Sequence, residues 1–118
     1  MKKNPHILVI DPAMHTPELD CFNNVSKLSS LPCTLHLPAL HGMLSLEKER
    51  DEDIRGILIF GSGCSVYDKL PWQSELENWL MPRMLKKIPT LGLCYGHQMI
   101  AHMFGGKISY TDEDKAKQ

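Results

Sequence analysis

The sequence predicts a three-layer α/β/α fold on a mostly parallel central sheet, and three observations predict it. Short apolar runs recur along the chain, within residues 6–11, 56–60 and 89–94, and continuous apolar runs suit strands covered on both faces. Each run is followed by a loop and then by a segment with helical spacing. Strands that alternate with helices are joined by right-handed crossovers and pair in parallel, with helices on both faces of the sheet.

Residues 6–11, His6-Ile7-Leu8-Val9-Ile10-Asp11, form the first strand. Thr16-Pro17-Glu18 predicts a helix start, with Thr16 as the cap, Pro17 at the first helical position and Glu18 complementing the dipole; the helix runs to about Ser29. Residues 34–37 make a second, weaker strand stopped by Pro38. Residues 39–53 are mixed, and their charged end at 47–53 predicts a solvated helix face. The third strand, 56–60, empties into Gly61-Ser62-Gly63-Cys64-Ser65, too rich in glycine and serine for a helix. Pro71 opens a helix whose Trp72, Leu76, Trp79 and Leu80 follow 3.6-residue spacing, and Pro82 is expected to end or kink it. Residues 89–94 are the fourth strand and 95–104 a helix with Met99, Ile100 and Met103 on one face, stopped by Gly105-Gly106. Residues 107–110 begin a fifth strand, and the stretch 110–118 reads as a frayed end.

At 118 residues the chain has the length of a single domain, able to bury roughly two thirds of the surface exposed when unfolded. Thirteen basic and 14 acidic residues leave a formal charge of -1, so no single-signed field steers nucleic acid or an anionic membrane toward it. The apolar runs fall far short of the ~20 residues of a membrane span, and no signal-peptide pattern precedes them. A cytoplasmic protein is expected. Cysteines stand at 21, 33, 64 and 94, with no C-x-x-C pair and no zinc-ligand spacing. Free thiols are expected, with no metal and no cofactor.

Cys94 is the residue that carries chemistry. Gly92-Leu93-Cys94-Tyr95-Gly96 has the G-x-C-x-G form of a nucleophile elbow, a sharp strand-to-helix turn that needs small neighbours two positions either side. The following helix N-terminus favours a thiolate, the form of sulfur that attacks. A tetrahedral oxyanion would then be held by the Tyr95 backbone N–H and by a second N–H from the loop after the third strand, placed at Ser62 with Gly63 as the alternative.

The segment Gly92-Leu93-Cys94-Tyr95-Gly96-His97-Gln98, followed by Gly105-Gly106-Lys107, resembles the nucleophile motif of class I glutamine amidotransferases, the triad-type family. GILIFGSGCSVYD at residues 56–68 resembles that family's oxyanion strand and loop, most closely in the GMP synthase-like branch. The resemblance covers nearly the whole chain. It implies a flavodoxin-like sheet, with residues 1–118 as one domain that is the N-terminal portion of the family's and is incomplete at its C-terminus.

It also implies a reaction. Cys94 attacks the side-chain amide of glutamine, ammonia leaves for a synthetase domain or subunit, and water cleaves the glutamyl thioester. Gln98 matches a residue that helps to hold glutamine, and Gly61 a backbone contact to it; His97 belongs to the motif without being the base. Where the family's oxyanion loop usually reads glycine-glycine-proline, this chain has Gly61-Ser62-Gly63, which changes loop stiffness but keeps the amides. The family's histidine and glutamate, spaced H-x-E well downstream of the cysteine, have no counterpart up to Gln118. His6, His15, His36, His41 and His102 all read as structural, so weak glutamine binding and little turnover are expected of this piece. A γ-glutamyl peptidase or hydrolase of the same fold and a truncated, non-catalytic glutamine-binding module are the alternatives.

Overall fold

A computed structural model of the chain describes residues 4–62 and 65–105. Four strands, β1 (His6–Ile10), β2 (Cys33–His36), β3 (Ile54–Ile59) and β4 (Thr90–Gly92), form one sheet in the order β2-β1-β3-β4. Every pairing is parallel. The helices are α1 (Leu19–Leu28), α2 (Pro38–His41), α3 (Leu44–Glu47), α4 (Pro71–Leu85) and α5 (Tyr95–Met103), with a 3-10 turn at Asp51–Asp53. The sheet is entered from β1 in one direction and from β2 in the other, so right-handed crossovers place α1 and α4 on opposite faces. None of the described helices is long and apolar enough to cross a membrane.

The register sorts the side chains. Leu8 and Ile10 of β1 stand beside Ile57 and Ile59 of β3, and on that face α4 supplies Leu76, Trp79 and Leu80 and α5 supplies Tyr95 and Met99 to one core. The row Leu35, Val9, Leu58 and Leu91 points to the other face. Val9 is fully buried there and Leu91 is 61% exposed. The second face is therefore covered at the sheet centre and opens toward β4, and α1 buries no residue completely.

Two local expectations are corrected, the start of the first helix and the stretch 47–53, and two prolines take further roles. The first helix does not begin at a Thr16 cap with Pro17 in first position; it begins at Leu19, flanked by Glu18, with no side-chain cap. The cause is Asp11, wholly buried, whose carboxylate accepts the N–H groups of Ala13 at 3.0 Å and Glu18 at 2.6 Å. Residues 12–18 wrap around that carboxylate, and a helix can start only after them. Pro38, expected to stop the second strand, also opens α2. Pro82 does not end its helix: α4 continues to Leu85. Arg83, the next residue, has its guanidinium 4.0 Å over the Trp79 ring and its Nη1 donates to the Trp79 carbonyl at 2.7 Å.

The stretch 47–53 is not a solvated helix face either. α3 ends at Glu47, Asp53 is buried and accepts the Asn4 N–H at 3.0 Å, and Glu49 sits between two buried histidines. The fifth strand at 107–110 and the frayed end at 110–118 lie outside the described residues.

Glu49 joins β1 to β2. His6 Nε2 lies 2.7 Å from Glu49 Oε1 and His6 Nδ1 lies 2.7 Å from the Asn4 carbonyl. His36 Nε2 lies 3.1 Å from Glu49 Oε2 and 2.9 Å from Thr34 Oγ1, with its Nδ1 2.8 Å from Ser45 Oγ. Hydroxyls both donate and accept, so His36 is satisfied as a neutral ring. Burial holds its pKa below the ordinary imidazole value of 6.5; Glu49 pulls the other way and His6 adds to the lowering. A lowered folded-state pKa makes the associated stability present above the ordinary value and lost as pH falls below it. Urea titrations between about pH 8 and pH 5 should therefore show stability declining toward acid, with a shallower decline in His36→Gln. Equal slopes for the two proteins would remove His36 from the account.

Candidate active site

Three loops meet at the carboxyl edge of the sheet, next to the point between β1 and β3 where the strand order reverses. Ligands of open α/β sheets bind at such a point. β4 ends at Gly92, α5 begins at Tyr95, and Cys94 flanks the helix with φ 51° and ψ -112°. A positive φ is uncommon outside glycine and costs on the order of 1–3 kcal/mol.

Sterics account for the turn. A Cβ on Gly92 would lie 2.3 Å from the carbonyl carbon of Gly96, and one on Gly96 would lie 2.4 Å from the Ile59 carbonyl oxygen and 2.8 Å from the Ile59 Cβ. The first turn of α5 thus rests on the ends of β3 and β4 with no room for side chains at either position. The Leu93 N–H closes the contact by donating to the Ile59 carbonyl at 2.9 Å. Gly61 runs beside Cys94, where an added Cβ would stand 3.4 Å from that of the cysteine. The Cys94 side chain is exposed.

A cavity of about 570 Å³ opens there. Gly61, Ser62 and Cys94 line it on one side, and residues 13–16 with Glu18, the loop wound around Asp11, line it on the other. The structure therefore brings together three of the residues singled out in the sequence. Tyr95 lies beneath them, buried, with its ring centroid 6.0 Å from that of Trp72. Gln98 is half-buried one turn along α5, its N–H donating to the Cys94 carbonyl at 3.1 Å, and it does not line the cavity. Gly63 lies outside the described residues.

Among the histidines read as structural, His15 lines the cavity. His6 and His36 belong to the Glu49 cluster, His41 ends α2, and His102 meets the Tyr67 ring edge-on at 5.3 Å. Among the described residues, no group of three or more His, Cys, Asp or Glu is arranged to hold a metal ion.

Gln73 was not singled out in the sequence, yet it ties the loop after β3 to the cysteine turn. It is 2% exposed; its Nε2 donates to the Ser65 carbonyl at 2.8 Å and to the Tyr95 hydroxyl at 2.7 Å, and its Oε1 accepts the Leu70 N–H at 2.6 Å. The signal was local: a glutamine at the third position of a helix opened by Pro71 can reach back to the N–H before it. Asp11 and Glu18 were passed over as a strand end and a helix start.

A cysteine on a strained strand-to-helix turn, facing a cavity at the carboxyl edge of a parallel sheet, defines an α/β protein with a cysteine elbow. The family described as glutamine amidotransferase class-I matches residues 19–118, and the chain belongs to that family. The glutamine-hydrolyzing GMP synthase of Porphyromonas gingivalis is 41% identical over 59 residues, which are 50% of this chain and 11% of that protein. That of Clostridium perfringens is 30% identical over 76 residues, 64% of this chain and 14% of that protein. The crystal structure of a glutamine amido transferase from Methylobacillus flagellatus shares the fold, with a TM-score of 0.61, 18% identity, and coverage of 92% of this chain and 41% of that one. The chain spans only a small part of the length of the GMP synthases it matches.

Two substitutions test the geometry. Gly96→Ala must displace backbone rather than a flexible side-chain end and is expected to cost ~3 kcal/mol or more. Gln73→Leu leaves the Leu70 N–H and the Ser65 carbonyl without the amide that holds them, at a cost of about 1–3 kcal/mol. Denaturant midpoints of the two variants against the parent chain measure both; a Gly96→Ala protein as stable as the parent would mean the close contact is absent in solution.

Proposed function

We propose that this chain carries the glutaminase chemistry of its family, with Cys94 as the nucleophile. One observation supports the reading most directly: the cysteine keeps an energetically costly φ of 51° at the mouth of a cavity, and strain of this kind persists where function requires it. Attack by the sulfur forms a C–S bond to the amide carbon of glutamine and places negative charge on the former carbonyl oxygen. The backbone N–H groups of Tyr95 and Ser62, with Gly63 as the alternative to Ser62, are assigned to that oxyanion. Collapse breaks the C–N bond, and the nitrogen takes up a proton and leaves as ammonia. Water then cleaves the thioester to glutamate and returns the thiol.

Gly61 and Gln98 are assigned to the holding of glutamine. The ammonia is assigned to a synthetase domain or subunit, in keeping with the GMP synthases that share this segment. No H-x-E triplet occurs in residues 1–118, and the proton shuttle is assigned to none of these residues.

Alkylation by diazo-oxo-norleucine, located by peptide mass spectrometry, tests the assignment without requiring turnover. Cys94 should be labelled, free glutamine should slow its labelling, and Cys94→Ala should abolish it there while Cys21 and Cys33 serve as internal controls. Labelling of Cys94 that glutamine leaves unchanged would rule out a glutamine site.

A further inference from the structure

We propose that Gln73 and the Tyr95 hydroxyl form a positioning pair for the oxyanion site, holding the loop that carries the Ser62 N–H in line with the Tyr95 N–H. The inference rests on the glutaminase reading and names what keeps its two oxyanion donors together. Those donors belong to different elements, Tyr95 to α5 and Ser62 to the loop between β3 and α4. An oxyanion is stabilised when both stand within about 2.7–3.1 Å of the same point before the reaction begins. Gly61 and Cys94 lie side by side, an added Cβ standing 3.4 Å away, but van der Waals contact fixes a separation and no direction.

Gln73 supplies the direction. From the first turn of α4 its buried amide meets both elements at once. Oε1 accepts the Leu70 N–H at 2.6 Å, and Nε2 donates to the Ser65 carbonyl at 2.8 Å and to the Tyr95 hydroxyl at 2.7 Å. An N–H on one side and a carbonyl on the other admit the amide in one orientation, so the Tyr95 oxygen receives an N–H. Ser65 is fixed from its own side as well: its carbonyl accepts the Asp68 N–H at 3.1 Å and its N–H donates to Asp68 Oδ2 at 2.8 Å. The other end of the loop is held at Phe60, whose N–H donates to the Ile10 carbonyl at 2.9 Å. Ser62 lies between these two anchors. Tyr95 is buried, with its ring centroid 6.0 Å from that of Trp72. A buried hydrogen bond between two anchored groups transmits position, and a shift of about 1 Å at either end misplaces one donor relative to the other.

The test uses the full chain and two probes, each read at Cys94 by peptide mass spectrometry. The γ-p-nitrophenyl ester of glutamate passes through the oxyanion: the thiolate forms the C–S bond, the C–O bond breaks, and p-nitrophenolate leaves with the electron pair and needs no proton. Methyl methanethiosulfonate carries no carbonyl and measures the reactivity and access of the thiol alone. The readout is the ratio of the two rates, taken below the unfolding range of every variant. Loss of one oxyanion donor costs on the order of 10²–10³ in rate, so a displaced donor should lower the ratio about tenfold or more. Gln73→Leu and Tyr95→Phe should each do so, and the double variant should match Gln73→Leu, because both substitutions cut the same bond. Tyr95→Phe leaves the Ser65 and Leu70 bonds in place, so it decides the matter where Gln73→Leu does not fold. A ratio that Tyr95→Phe leaves at the parent value, while free glutamine still slows acylation of the parent chain, overturns the positioning pair alone, as does a double variant in which the two losses multiply. A parent chain whose acylation at Cys94 glutamine does not slow overturns the glutaminase reading and this inference with it.

Discussion

Gly96 approaches Ile59 so closely that a Cβ would lie 2.4 Å from the Ile59 carbonyl oxygen, and most of the site is a consequence of that contact. With the first turn of α5 set down on the end of β3, the chain leaving β4 at Gly92 has two residues in which to reverse. Cys94 takes the positive φ that the reversal requires. Its strain, on the order of 1–3 kcal/mol, is opposed by burial on the same helix: Tyr95 and Met99 enter the core beside Ile59, Leu76 and Leu80. A fully buried side chain of this size contributes roughly 1.5–3 kcal/mol, so the two anchors together outweigh the strained turn. The thiol is presented at the edge because the residues around it are buried.

Two polar side chains shape what lies beside the turn, and they work alike. Asp11 takes the N–H groups of Ala13 and Glu18 with one carboxylate; Gln73 takes the Leu70 N–H and gives its own N–H groups to Ser65 and Tyr95. Loops usually run over the surface because their backbone polar groups need partners. Here a buried side chain supplies the partners, which lets each loop lie against the sheet edge and still bound a cavity. Losing either residue costs the desolvation penalty of the groups it serves.

The same distinction explains what could be read from the sequence. The strands, their parallel pairing and the glycines around Cys94 are short-range matters of pattern and sterics, and they were legible. Gln73 was legible in principle, as a third-position glutamine, but its reach of 22 residues to Tyr95 was not. Thr16 and Pro17 gave a strong local signal for a helix start, and a carboxylate seven residues upstream of Glu18 overrode it. The charged run at 47–53 failed for a similar reason: Glu49 finds its partner His6 43 residues away. Composition describes such a carboxylate as solvated until the fold brings its partner to it. His15 was set aside as a loop histidine because nothing local showed which way the loop of residues 12–18 would wind.

The site and the better-packed face of the sheet are therefore one mechanical unit. Leu76, Leu80 and Met99 are fully buried and fix α4 against α5, α5 fixes Gly96 against Ile59, and that contact fixes Cys94. The opposite face contributes less, since the row from Val9 to Leu91 passes from complete burial to 61% exposure within two strands. β4 is also a sheet edge in the described residues, and an edge strand with an exposed leucine is held mainly by its one neighbour and by the helix that follows it. Loosening α5 would release β4 and the cysteine together, because Gly92 is pinned by Gly96. The geometry of Cys94 is thus set from within the core, while the loop wound around Asp11 supplies the opposite wall of the cavity.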